Sequence, residues 1–164
     1  MGVTRTAEIR TEASNGVMFD RRTEDGIMVA KYTGTAARVW DATLGALTTH
    51  QVNLTLVDRG AGRAGDTVMV LMRRWNGQPL SVYLACGSTM TGPRADQERV
   101  NAVLLAQLTR LKEDTIAVAI HFSGVSKPVA SGASGTPAPC TSSSRIERDL
   151  FNDIARRLAD SSAP

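Results

Sequence analysis

Two alternating segments in the second half of the chain constrain its fold more than any other feature. Apolar residues occupy every second position over 100–108 and again over 116–122, and the polar sequence KEDT separates the two runs. Such alternation is what a strand with one buried face requires. A helix over 99–111 is the alternative, because apolar residues also recur there at helical spacing. The repeat of the alternation after a turn favours two long strands joined as a hairpin.

The first half of the chain predicts another hairpin and a helix. Val17–Arg21 and Ile27–Tyr32 flank a charged turn that contains Asp-Gly, as in a β-hairpin. From Thr35 onward the apolar residues change to helical spacing. Thr35 itself is a suitable N-cap, and the predicted helix ends near His50.

Two strands, a loop and a second helix complete the predicted order. Residues 52–58 and 67–75 predict strands on either side of the glycine-rich turn RGAGRAGD. Residues 128–142 are rich in Pro, Gly, Ser and Ala without periodicity, which predicts a loop. Ser144 and Glu147 have the spacing of a capping box at the start of a C-terminal amphipathic helix. The charged face of that helix carries Arg145 with Asp149 and Asp153 with Arg157.

These elements do not alternate regularly as β-α-β units. The sequence therefore predicts an α+β protein with a mainly antiparallel sheet of about six strands and two helices on one face. Residues 1–16 are polar and unpatterned and predict an extended N-terminal arm. Residues 17–161 are expected to form a single domain around one core.

The composition excludes several classes of protein. Hydrophobic residues make up 42% of the chain and aromatic residues only 4%, which predicts an aliphatic core. The formal net charge is +3, with basic and acidic residues scattered together, so no nucleic-acid partner is expected. No apolar run reaches the ~18 residues of a membrane-spanning helix. The start of the chain lacks the apolar core of a signal peptide, so any export signal or lipid anchor is expected outside this numbering.

No motif in the sequence identifies a reaction. Cys86, in the stretch LACGSTMTGP, would need a histidine base to act as a nucleophile, and the chain offers His50 and His121. The glycines beside Cys86 lack the Lys-Ser/Thr of a phosphate-binding loop. The spacing of cysteines and histidines fits no metal site. We therefore predict no catalytic, cofactor-binding or metal-binding residues, no cofactor and no enzymatic activity.

The two cysteines, Cys86 and Cys140, lie in loops rich in small and hydroxyl residues near the ends of the central hairpin. A disulfide between them would fix a segment that has no core of its own. Closing a loop of this size contributes on the order of 4 kcal/mol in the chain-entropy model. The even cysteine number favours a disulfide and an oxidising compartment, and two reduced, buried cysteines are the alternative.

A resemblance to one group of proteins begins in the segment AARVWDATLGALTTHQVNLTLVDRGAG, an amphipathic helix followed by a strand ending in Asp and a glycine-rich turn. This pattern resembles the helix-grip domains of bacterial envelope lipoproteins, such as the accessory lipoprotein of outer-membrane barrel assembly. PLSVYLACG, RVNAV and PCTSSSRIERDL also resemble uncharacterised exported proteins of that type, in which the two cysteines lie at matching places. The resemblance implies a curved sheet that grips the C-terminal helix.

The resemblance also implies a role. The protein would be a non-catalytic accessory or scaffold subunit on the periplasmic side of a membrane-protein complex, for example the barrel-assembly machinery or a photosynthetic reaction centre. It would dock there through loops and an exposed sheet edge, a position compatible with peripheral membrane association. One alternative is a carrier with an apolar-ligand pocket between helix and sheet, lined by Met18, Met28, Met69 and Met72. The other is an enzyme that uses Cys86 with His121 or His50.

Overall fold

The computed structural model describes residues 9–14, 17–22, 27–129 and 136–161, with side chains from residue 27 onward. It has a large open, mainly antiparallel sheet, a separate two-stranded sheet and two α-helices, so the α+β prediction is confirmed. The helices are α1, Ala36–Thr49, and α2, Arg145–Asp160. The longer strands are β1 Ile9–Ser14, β2 Val17–Arg22, β3 Ile27–Thr33, β5 Arg63–Met72, β11 Arg99–Lys112 and β12 Thr115–Lys127. The short strands are β4 Leu56–Asp58, β6 Arg74–Trp75, β7 Gln78–Pro79, β8 Leu84–Ala85, β9 Ser88–Thr89, β10 Gly92–Pro93 and β13 Ala138–Ser142.

The sheet is built around β12. The main strand order is β1-β2-β3-β12-β11-β5-β6-β7. β11 pairs with β12 along almost its whole length, while β3 and then β13 pair with successive parts of its other edge. The other edge of β5 is paired only at its two ends, with β4 and with β6, and β6 in turn pairs with β7. Every one of these pairings is antiparallel, as expected for strands joined mostly by hairpins.

The central hairpin is formed by β11 and β12, so residues 99–111 are a strand and not a helix. The even-numbered residues of both strands face the helices, and we call this the inner face of the sheet; the opposite side is the outer face. Tyr32 of β3 lies opposite Ile116 of β12, and its hydroxyl donates a hydrogen bond of 2.8 Å to the Phe151 carbonyl of α2. The fully buried inner-face residues of the hairpin include Val100, Leu104, Ala106, Ile116, Val118, Ile120 and Phe122.

Helix α1 begins and ends where the sequence predicts. Its N-cap is Thr35, whose Oγ1 accepts a hydrogen bond of 3.2 Å from the Arg38 backbone N–H, and His50 is its C-cap. The apolar stripe packs on the sheet and on α2. A Cβ atom at Gly45 would lie 2.6 Å from the Arg157 guanidinium of α2, so the missing side chain makes room for that arginine between the helices.

The start of α2 differs from the predicted capping box. Ser144 is the N-cap residue but has a left-handed backbone (φ 72°) and makes no side-chain cap hydrogen bond. Ser142 takes its place: its Oγ accepts from the Ser144 N–H at 3.0 Å and donates to Glu147 Oε2 at 2.8 Å. The spacing rule failed because β13 delivers the chain to the helix through a tight turn, which moves the serine that reaches Glu147 two residues upstream.

Other boundaries also differ from the predictions. The strand predicted over 52–58 is restricted to β4. β5 begins at Arg63, inside the predicted turn. Gly65 lets the strand lie this close to β11, because a Cβ at Gly65 would lie 2.0 Å from the Leu104 carbonyl oxygen. Ala138–Ser142, predicted as loop, is β13, since its backbone completes the edge of β12.

Three predicted segments fall partly outside the described residues: the N-terminal arm, the first hairpin and the loop over 128–142. Within the predicted N-terminal arm, Ile9–Ser14 is a strand paired with β2. The tip of the first hairpin, residues 23–26, and residues 130–135 of the predicted loop are not described. Neither α1 nor α2 is long and apolar enough to cross a membrane, and these are the only α-helices in the described part of the chain.

Candidate functional site

Cys86 and Cys140 are joined by a disulfide in the structure. Both residues are buried. Cys86 follows β8 and Cys140 lies in β13, and these two short strands pair with each other while β13 also pairs with β12. The bond therefore ties the segment after β8 to the central hairpin. A disulfide sulfur is neither thiol nor thiolate, so Cys86 has no nucleophile to offer in this state.

The two histidines have local partners. Nε2 of His50 lies 3.7 Å from Oδ2 of Asp153 at the C-terminal end of α1. Nε2 of His121 lies 3.1 Å from the Ser123 hydroxyl on the outer face of β12. Within the described ranges, no group of three or more His, Cys, Asp and Glu side chains is placed to hold a metal ion.

Asp153 pairs with Arg157 as the helical spacing predicts, but it lies in a larger buried cluster that the sequence did not predict. Its side chain is only 2% exposed, although the helical pattern placed it on a solvated face. Its carboxylate accepts hydrogen bonds from Arg156 and from Arg157, the latter at 3.3 Å, in addition to its contact with His50. Arg157 also donates to Thr49 Oγ1 at 2.6 Å. The cluster joins α2 to α1, and its role in the fold is structural.

A second polar cluster lies beside the disulfide. Arg94 makes two of its hydrogen bonds. Its backbone N–H donates to the Gly87 carbonyl, and its Nε donates to Glu98 Oε2 at 2.8 Å. The hydroxyl of buried Ser126 donates to the same carboxylate oxygen at 2.5 Å. Burial raises the pKa of Glu98, but the two hydrogen bonds and the charge of Arg94 outweigh that effect, so its pKa is lowered below the usual value.

The outer face carries an exposed apolar strip on β5. Val68, Val70 and Met72 are 68%, 52% and 45% exposed, and we call these three residues the β5 strip. They alternate with Met69 and Leu71, which are buried in the core on the inner face. Along this part of β5, apolar side chains point to both faces of the sheet, but the core covers only the inner face. The outer set therefore stays in solvent unless a partner covers it.

The edge of β5 beside this strip is open. β4 pairs only with residues 63–65 and β6 only with Met72, so residues 66–71 have no strand partner on that side among the described residues. Arginines rim this end of the sheet: Arg99 lies opposite Met72 in the ladder, and Arg73 and Arg74 follow β5, all with exposed side chains. The backbone N–H groups of Thr67 and Val68 already donate to the side chains of Thr55 and Asp66, so the open part of the edge is residues 69–71. Together these features form a basic, partly apolar surface beside an open strand edge.

A cavity of about 440 Å³ lies between the N-terminal part of α1 and the sheet. Its apolar lining includes Trp40, Leu108 and Ile116, and its rim includes Arg59 and Arg110. The methionines expected to line such a pocket do not: Met28 and Met69 are buried in the core, and Met72 is exposed on the β5 strip. The side chain of Met18 is outside the described set.

The comparisons with known proteins add no identification. No protein-family model matches this chain, and no curated protein is significantly similar to it. The case for a function therefore depends on the surfaces themselves. The sequence analysis expected docking through an exposed sheet edge, but it did not predict the β5 strip. Alternation at 68–72 does not show which face of the strand the helices leave uncovered.

Proposed function

We propose that this protein is a non-catalytic accessory subunit that docks on a larger protein assembly through the β5 strip and the open edge of β5. The observation that carries this proposal is the combination of exposed Val68 and Val70 with the open strand edge at residues 69–71, beyond the N–H groups that Thr55 and Asp66 already bind. An extended segment added to a free edge gains main-chain hydrogen bonds, while alternate side chains set its specificity.

The chemistry of the surface defines the partner segment. Sheet edges that face solvent are usually blunted by inward charges, proline or bulges, and hydrophobic edges otherwise aggregate. The β5 strip has apolar side chains at its centre and Arg73, Arg74 and Arg99 at one end. The proposed partner is therefore an extended strand with alternating apolar residues and an acidic flank, since opposite charges steer and orient association.

The proposed location is an oxidising compartment, the periplasm or a periplasm-facing membrane surface. Disulfides persist in such compartments and are rare where thiol-reducing systems operate. The Cys86–Cys140 bond is consistent with this location, as is the absence of a membrane-spanning helix from the described residues. The assembly would then be a membrane-protein complex, with this protein as an extrinsic subunit.

Site-specific photocross-linking in membranes of the native host tests the docking surface. A photoreactive residue at Val70 is expected to yield a discrete adduct with one partner protein. The same residue at Met90, an apolar position at the β9–β10 turn that is more exposed than Val70 (106% against 52%), serves as the control and is expected to yield none.

A second arm removes the apolar surface without touching the core. The double substitution Val68→Asp and Val70→Asp is expected to abolish co-purification of the partner from solubilised membranes, whereas Met90→Asp is expected to retain it. The proposal fails if the wild-type protein is recovered alone under all solubilisation conditions, or if cross-linking at Met90 matches that at Val70.

A further inference from the structure

The cavity between α1 and the sheet, which we call the α1 cavity, has the size of a small-molecule site. Its volume of about 440 Å³ lies within the usual range for ligand pockets. The wall on the helix side is formed by Ala36, Ala37 and Trp40, and the floor by Leu108 and Ile116. The turn between β4 and β5, residues 59–62, forms the opposite wall.

Both walls are held in place by backbone hydrogen bonds. Leu108 N–H donates to the Gly62 carbonyl at 2.8 Å, and the Gln107 side-chain amide donates to the Ala61 carbonyl at 2.8 Å. Gly62 has φ +70°, and a Cβ there would lie 2.7 Å from the Leu108 oxygen, so only glycine allows the turn to sit this close to β11. On the helix side, Gly34 N–H donates to the Asp114 carbonyl at 2.8 Å. The cavity is therefore preformed rather than created by a ligand.

The rim of the α1 cavity is positively charged. Arg59 and Arg110 line it, and the nearby Asp58 carboxylate is not in the lining but accepts a hydrogen bond of 3.0 Å from the Ala61 N–H of the same turn. Arg110 donates to the backbone carbonyl of Glu113 at 3.2 Å, and neither arginine forms an ion pair within the residues that the structure describes. Ala36 and Ala37 belong to the first turn of α1, where backbone N–H groups have no intrahelical acceptor and the helix dipole favours negative charge.

We propose that the α1 cavity binds a small amphipathic organic anion. Its carboxylate or phosphate group would lie between Arg59 and Arg110 near the first turn of α1, and its apolar part would pack on Trp40, Leu108 and Ile116. Guanidinium groups bind both kinds of oxyanion in a planar, two-pronged geometry. This inference does not depend on the proposed docking function, because the cavity lies on the inner face and the β5 strip on the outer one.

The test is a titration of the full chain with four probes, followed by NMR of the tryptophan indole N–H signals. Sodium octanoate and octyl phosphate carry both an anion and an apolar tail, 1-octanol carries the tail alone, and inorganic phosphate carries the anion alone. The Trp40 signal is expected to shift saturably with octanoate, octyl phosphate or both. The Trp75 signal is the internal reference, because that ring is packed against Tyr83 and Phe122 away from the cavity lining.

Variants separate charge from apolar packing. Arg59→Gln and Arg110→Gln are each expected to weaken binding at least about tenfold, as the loss of a charge-assisted hydrogen bond predicts. Arg99→Gln is the matched control: it removes one exposed arginine from the other end of the same strand and is expected to leave binding unchanged. Ala36→Asp places a carboxylate at the cavity while favouring the helix start, so it is expected to abolish binding in a protein with unchanged or higher Tm.

Three outcomes would overturn the proposal. Binding of 1-octanol as tight as that of both anions would show an apolar pocket without anion recognition. Binding of inorganic phosphate as tight as that of octyl phosphate would show that the apolar lining contributes nothing. An equal loss of binding in Arg99→Gln and Arg110→Gln would show a nonspecific charge effect. None of these results would change the cross-linking expected at Val70, so the two proposals can fail separately.

Discussion

The inner and outer faces of the sheet belong to the same strands and yet carry different properties. On the inner face, Leu104 and Ile120 are fully buried beneath the helices, whereas on the outer face Val68 and Val70 are at least half exposed. Because side chains alternate along a strand, adjacent residues can serve stability and recognition separately. A substitution on one face can therefore remove one property of this protein without the other.

The strongest test of this separation uses two adjacent leucines of β11. Leu104 is 0% exposed on the inner face, and Leu105 is partly exposed on the outer face. Leu104→Ala is expected to lower the free energy of unfolding by about 3 to 4 kcal/mol, because it loses buried area and leaves a cavity. Leu105→Ala is expected to cost roughly 1 kcal/mol or less. Urea denaturation of both variants measures the difference.

The two leucine variants also control each other, since they make the same chemical change one residue apart. Equal destabilisation would mean that the outer face is as tightly packed as the inner one, and the proposed docking surface would lose its basis. A large effect at Leu104 with near-wild-type stability at Leu105 would support it.

The same contrast between a packed and a solvated position applies to α2. Asp153 and Asp149 lie about one turn apart and each has an arginine partner, but their side chains are 2% and 32% exposed. Asp153→Asn is expected to lower the free energy of unfolding by about 2 kcal/mol, since hydrogen bonds to a buried charge are lost. Asp149→Asn is expected to cost below about 0.5 kcal/mol. Thermal and urea unfolding check this, and equal effects would contradict the interhelical role of the Asp153 cluster.

Much of the fold could be predicted because its signals are local. The alternation over 100–108 and 116–122 identified the central hairpin, and Thr35 marked the start of α1. The failures came from tertiary contacts. β13 is recognised only by its pairing with β12, and the serine that reaches Glu147 depends on the turn that precedes α2.

The candidate sites were harder to predict for the same reason. The α1 cavity is assembled from α1, the β4–β5 turn and the central hairpin, which are far apart in the sequence. Arg59 and Arg110 are ordinary exposed arginines when considered one at a time. Burial of Asp153 likewise requires α1 to lie against α2, whereas its helical spacing alone indicates a solvated ion pair.

The smallest expected effect concerns Glu98, at the edge of the inner face. Its pKa is lowered from an ordinary value of 4.5, so the folded state favours the carboxylate more than the unfolded chain does. Glu98 therefore stabilises the protein fully above about pH 4.5, and this contribution is lost as the pH falls through the lowered pKa. Unfolding free energies of the wild type and of Glu98→Gln, measured across that range, are expected to converge on acidification.

Ser126→Ala gives that measurement its control. Removing the hydroxyl takes away one of the hydrogen bonds that oppose the effect of burial, so the pKa of Glu98 is expected to rise. The pH-dependent contribution of Glu98 is then expected to be smaller and to be lost completely at a higher pH than in the wild type. If wild type and Glu98→Gln instead diverge as the pH falls, with the wild type gaining stability relative to the variant, burial dominates. The hydrogen bonds from Ser126 and Arg94 would then contribute less than their geometry indicates, and the edge of the inner face would resemble its apolar centre more closely.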